Sequence, residues 1–271
     1  MTETSPSGAP APTRPSLPDA GSGPALVGVV LIAVAMWLAV PQRLSIPGQE
    51  LNLGFTLNNA IFVVENAAMW GTLLLAVGAA VLQSRRFLVA SVVVVGAHLL
   101  VQVGTAVVQM VLGATPDLVL GTGFAILCLV TVGAGLLVAL LLRNPRQARL
   151  IGLVVAAGAV MHALLSNVLL TLISLQAYGG APAGLLGSLL IGVVQHVVLL
   201  AVVVLVGWSA SVTRRIGAVV AALVAVLGGF GAIQAFGSLG VAYSIFQILP
   251  SVLLLAAVVP AVIAARRVAQ D

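Results

Sequence analysis

Long apolar runs, broken at intervals by short polar or arginine-bearing segments, dominate the chain. Runs of helix-forming length fall at 25–41, 60–82, 87–113, 118–142, 150–176, 185–208, 216–236 and 242–265. Crossing the hydrocarbon core of a bilayer takes about 20 predominantly apolar residues in a helix. The pattern therefore predicts an all-α, polytopic membrane helix bundle of about eight transmembrane helices. The second run is the least regular, because "NNAIFVVENAAMW" interrupts it with Glu65 and Asn66. Turn-forming "GATPD" divides the third and fourth runs, and "AYGGAPAG" precedes the sixth. Residues 1–24, "MTETSPSGAPAPTRPSLPDAGSGP", are rich in Pro, Ser, Gly and Ala and are expected to form a disordered tail. The tail is a poor signal peptide, since its only basic residue, Arg14, lies far ahead of the apolar run. The expected organisation is a cytoplasmic tail over 1–24 and a transmembrane domain over 25–271.

Composition agrees with this class. The chain is 61% hydrophobic and 6% charged, with a mean hydropathy of +1.25, whereas soluble domains carry about 25% charged residues. A pI near 11.1 would ordinarily raise the question of nucleic acid. Here all 11 basic residues are arginines set in short clusters between apolar runs. That is the arrangement of membrane orientation signals, not of a phosphate-backbone face, and no nucleic-acid partner is expected. The expected surroundings are the lipid bilayer of the cell membrane, with a small-molecule or ion substrate and partner membrane subunits as possible associates. Cys128 is the lone cysteine, which excludes an intrachain disulfide and argues against a thiolate metal site.

The arginines also give an orientation. Arg85 and Arg86 follow the second run, Arg143, Arg146 and Arg149 the fourth, Arg214 and Arg215 the sixth, and Arg266 and Arg267 the eighth. With Arg14, ten of the eleven fall on one side, and only Arg43 falls on the other. The positive-inside rule makes the arginine side cytoplasmic and places both termini there. Trp37, Tyr178 and Tyr243 then lie near outer ends and Trp208 near an inner end, as interfacial aromatics should.

Measured from these anchors, polar residues share a depth. Glu65, Gln102, Asn167, Gln195, Gln234 and Gln247 each lie sixteen to twenty residues from the nearest arginine anchor, or roughly 24–30 Å at the helical rise. They form a layer in the outer half of the membrane, to which His196 beside Gln195 belongs. Several also fall on helical stripes. His98, Gln102, Thr105 and Gln109 follow i, i+4, i+7, i+11; Asn167, Thr171, Ser174 and Tyr178 repeat that spacing. Asn58, Glu65 and Thr72 share a face, as do Tyr243, Gln247 and Ser251. Pro250, three residues after Gln247, frees the carbonyl of Phe246 from its helical donor. Hydrocarbon satisfies none of these groups, so each stripe should face another helix or water.

Two readings follow. Either the residues Glu65, His98, Gln102, Thr105, Asn167, Thr171, Gln195, His196, Gln234 and Gln247 line an outward-facing polar cavity of a small transporter, permease or membrane subunit, or they only hydrogen-bond helices together in a non-catalytic assembly or sensory protein. A third, narrower reading is a b-type haem. His98 and His162 lie twelve and thirteen residues beyond Arg86 and Arg149, a matched depth of the kind axial ligation requires, with Gly96 and Gly158 nearby. Other chemistry is disfavoured. The chain has no lysine for a phosphate-binding loop and neither an H-E-x-x-H nor a G-x-S-x-G motif. No catalytic residue, metal or cofactor is assigned from the sequence.

Overall fold

The computed structural model describes the backbone of residues 22–38, 53–111, 116–142, 144–177, 185–239 and 241–270. Side chains are described over 23–38, 68–111, 121–142, 147–162, 194–230 and 248–270, with Asn144, Leu164 and Ile233. Eight helices lie among the described residues, and no strand. They are α1 (Ser22–Leu38), α2 (Leu53–Leu82), α3 (Arg85–Val111), α4 (Pro116–Leu141), α5 (Pro145–Ala177), α6 (Leu185–Gly207), α7 (Ser211–Leu239) and α8 (Val241–Gln270). Each coincides with one apolar run. The helix α1 begins at Ser22 rather than 25, with Pro24 in its first turn, where a missing N–H costs nothing. Prolines likewise open α4 and α5. The helix α2 reaches back to Leu53, past the asparagine pair that the sequence pattern leaves outside the run.

Among the described residues, four segments are long and apolar enough to cross a membrane: Arg85–Val111, Gly121–Leu141, Ser211–Phe230 and Ile248–Gln270. Shorter apolar helical stretches, Gly23–Leu38, Ala68–Leu82, Gln147–His162 and Val194–Gly207, belong to the other four helices.

The bundle is built around α2. Every residue from Met69 to Val81 is buried, and α2 packs against α1, α3, α4, α5 and α6. The helix α1 lies against α2, α6 and α8, while α7 packs on α6 and α8. Small residues allow this crowding. A Cβ at Gly71 would overlap the Trp37 indole, and one at Gly78 would overlap Val29 Cγ1. A Cβ at Gly152 would come within 3.1 Å of the Ala80 carbonyl oxygen, and one at Gly207 within 3.1 Å of Val81 Cγ1. Close backbone approach of this kind is how helices gain dispersion energy where no hydrophobic driving force separates them from solvent.

The same contacts bring the arginine-bearing ends together. Gly152 and Gly207 set the start of α5 and the end of α6 against the end of α2. Arg214 Nη1 donates to the Ala264 carbonyl at 3.1 Å, tying the start of α7 to the end of α8. A Cβ at Gly28 would come within 3.3 Å of Val206 Cγ1 near the end of α6, so the start of α1 is at that end too. Away from it, the outer surface is apolar: Leu100, Val111, Leu227 and Phe230 are all well exposed, Val111 to 79%. In water such a surface would be an association site; hydrocarbon suits it.

The seat of Trp37 gives a direct test. Gly71→Ala should destabilise the bundle by roughly 1–3 kcal/mol through overpacking. Gly104→Ala, where a Cβ meets nothing within 4 Å, should be neutral or stabilising by about 0.5–1 kcal/mol. Denaturant unfolding in detergent micelles measures both, and equal effects would mean that Trp37 does not pack against Gly71.

Candidate functional site

Polar side chains on α1, α2 and α3 join in a hydrogen-bonded relay. The Ala68 carbonyl accepts from the Trp37 indole Nε1 at 3.0 Å and from Thr72 Oγ1 at 2.8 Å. Thr72 Oγ1 also lies 3.0 Å from His98 Nδ1. With the hydroxyl's one proton assigned to the Ala68 carbonyl, His98 Nδ1 donates to Thr72. That leaves Nε2 as the acceptor for the Gln102 amide Nε2, 3.3 Å away. The network thus assigns His98 the Nδ1–H tautomer. Gln102 is 1% exposed, and its Oε1 is buried with no hydrogen-bond partner. Further along the same stripe, Thr122 Oγ1 of α4 donates to Gln109 Oε1 at 2.8 Å. Thr105 is half-buried between the two levels. The α3 stripe is therefore bonded to α2 at one level and to α4 at another.

On α6 the neighbours Gln195 and His196 part company. His196 is buried, with its ring 4.2 Å from that of Trp70 on α2 and tilted by 40°. Gln195, one position round the helix, is exposed and lines a cleft of about 70 Å³ among α1, α6, α7 and α8. Met36, Leu199, Gly228, Pro250 and Ser251 contribute to its walls, and none of the lining residues is charged. A Cβ at Gly228 would stand 3.0 Å from Ser251 Oγ, so the glycine keeps the space beside that hydroxyl open. Pro250 has no N–H for the carbonyl four residues back. An amide, a hydroxyl and a proline inside a helix thus belong to one short region of the fold. Gly228 lies fourteen residues beyond Arg214, and Ser251 fifteen before Arg266, about 21–23 Å from the arginine end. The volume suits a few waters or a very small solute, well below the roughly 300–1,000 Å³ of a drug-sized site.

The expected single polar layer is thereby divided. His98 and Gln102 come together with Thr72 on one side of α2, and Gln195 faces a cleft on the other. The helices carrying Glu65, Asn167, Thr171, Gln234 and Gln247 are formed, but those five side chains lie outside the described residues. The haem geometry is not favoured. Both ring nitrogens of His98 already face protein partners at 3.0 and 3.3 Å. Gly96 and Gly158 face open space, where a Cβ would meet nothing within 4 Å. Among the described residues, no group of three or more His, Cys, Asp or Glu could hold a metal ion.

Sequence reasoning missed Trp37, Trp70, Thr122 and Gly228 as members of these arrangements. The Gly228–Gly229 pair opposite Pro250 and Ser251 is the one signal that could have marked the cleft. No known protein family, curated protein or solved structure matches the chain. Its chemistry must therefore be argued from the site itself.

Two substitutions check the relay. A double-mutant cycle of Thr72→Val with His98→Leu should give a coupling of about 0.6 kcal/mol, and no more than about 1.7, as for interhelical bonds in membrane bundles. Gln102→Leu should cost about 1 kcal/mol or less, because loss of the amide donor to His98 Nε2 is offset by removal of a buried oxygen that has no partner. A loss above about 2 kcal/mol in that variant would show that the oxygen is satisfied after all.

Proposed function

We propose that the chain is a multi-pass protein of the cell membrane, with eight spans and both termini in the cytoplasm. Its function is that of a small transporter- or permease-like protein, or of a membrane subunit with that role, and the cleft at Gln195 and Ser251 is its outward-facing polar site. The observation that carries this reading is the cleft: hydrogen-bonding groups without charge, in the half of the bundle away from the arginines, beside a proline-interrupted helix. Such interruptions leave carbonyls available to solutes and ions in transporters. The uncharged lining suits a small neutral hydrogen-bonding solute better than an organic anion. The relay on α3 has the other task of holding α1, α2 and α3 together.

A second reading is favoured by that relay. His98 and Gln109 of the α3 stripe bond to neighbouring helices, as they would in a non-catalytic assembly or sensory protein whose polar groups serve only packing. No catalytic constellation is proposed for either.

Thiol accessibility separates the two. In a Cys128→Ala background, single cysteines replace Gln195, Ser251 and Gln102. Thiol reagents react with thiolate, which forms in water and not in a dry interface. A membrane-impermeant maleimide added outside should label the position of Gln195 quickly and that of Ser251 more slowly. The position of Gln102 should stay inert. If Gln195 and Ser251 are inert from outside, or react only from the cytoplasmic side, the outward cleft is wrong and the packing reading stands.

A further inference from the structure

The adjacent arginines Arg214 and Arg215 have different fates. Arg214 is 4% exposed; its Nε donates to the Trp208 carbonyl at 2.6 Å and its Nη1 to Ala264 at 3.1 Å. It closes the turn between α6 and α7 and fastens that turn to α8. Arg215, the next residue, is exposed. Across the turn, Arg149 of α5 stands over the Trp208 ring, its Cζ 5.9 Å from the ring centre. A guanidinium stacked on a ring uses its face and keeps its N–H donors in plane for a second partner. At Trp208, therefore, Arg214 is given to the fold, Arg149 stands over the ring, and Arg215 is exposed beside Arg214.

Among the described residues no acidic side chain accompanies these arginines. The six acidic residues are Glu3, Asp19, Glu50, Glu65, Asp117 and Asp271, and none is among the described side chains. Immediately beside the arginines the surface turns apolar. Leu150 and Val154 are exposed on α5 next to Arg149, as are Val212, Ile216 and Val219 on α7 around Arg215. A ligand matched to this corner carries a phosphate at one end and a hydrocarbon chain at the other. Arginine forks bind phosphate oxygens in pairs, and basic pockets between helices on the cytoplasmic side hold anionic headgroups.

We infer that the corner formed by Arg149, Trp208 and Arg215 binds an anionic phospholipid of the inner leaflet, with the phosphate on the two guanidiniums and an acyl chain along Leu150, Val154 and Ile216. The inference rests on the membrane placement proposed above and on nothing about transport.

The test is the unfolding midpoint of the full chain in nanodiscs of pure phosphatidylcholine and of phosphatidylcholine with phosphatidylglycerol. Phosphatidylglycerol should raise the midpoint by roughly 4–8 °C. Arg149→Gln with Arg215→Gln should match the parent in phosphatidylcholine and lose most of that rise. Arg266→Gln with Arg267→Gln, both exposed, should keep it, because the proposed phosphate seat uses neither. Arg214→Gln should unfold earlier in both lipids, since its bonds belong to the fold. Four results overturn the inference: no rise with phosphatidylglycerol, a rise unaffected by the first double variant, an equal loss in the second, or the same rise from millimolar inorganic phosphate in pure phosphatidylcholine. Failure of the parent to insert into either nanodisc would instead sink the membrane placement.

Discussion

The close approach of α1 to α2 over Gly71 and Gly78 is the contact on which the remaining arrangement depends. In the bilayer proposed for this bundle, apolar helices gain nothing from hydrophobic burial against one another, so dispersion at short range and hydrogen bonds would hold them. Glycine removes the side chain that would keep the backbones apart. Trp37 then reaches far enough to donate to the Ala68 carbonyl, which Thr72 also uses, and the shared acceptor fixes the proton on His98 Nδ1. A packing event between two helices thereby decides the tautomer of a histidine on a third. The complete burial of α2 from Met69 to Val81 follows from the same small-residue face, because α5 and α6 approach it through Gly152 and Gly207.

Polar groups in this bundle do three separate jobs. Thr72, His98, Gln102, Thr122 and Gln109 connect α2, α3 and α4. Arg214 closes the arginine end by capping α6 and reaching α8. Gln195 and Ser251 face a small neutral cleft. Buried polar groups that are satisfied rigidify a core, while exposed or unclaimed ones are available to solutes. That contrast separates the relay from the cleft, although Gln195 and Gln102 lie at similar distances from their arginine anchors. Depth alone, therefore, does not define a site.

The helices were legible because their lengths are set by apolar runs and their ends by arginine, proline and glycine. The rotation of each helix was not. In a soluble protein the buried face is apolar and the outer face polar, so periodicity reports it. Here Leu73 is buried and Leu141 exposed, and no difference of residue type marks which is which. The α3 stripe could be seen because its polar residues stand out from hydrocarbon; its partners could not, since a threonine such as Thr122 is unremarkable in any apolar run. Gly228 was hidden because a glycine is at least as common as threonine in such runs. Arg214 was read only as an orientation signal, because sequence shows charge but not that its carbonyl partners lie at the end of α6 and on α8.

The account stands on the arginine end of the bundle being cytoplasmic, which makes the cleft face outward and puts the Trp208 corner against the inner leaflet. Reporter fusions truncated after Arg149, at Gly180 and after Arg215 measure this most directly. The account predicts a cytoplasmic reporter at the first and third positions and an external one at Gly180. An external reporter after Arg215, or a cytoplasmic one at Gly180, would contradict it.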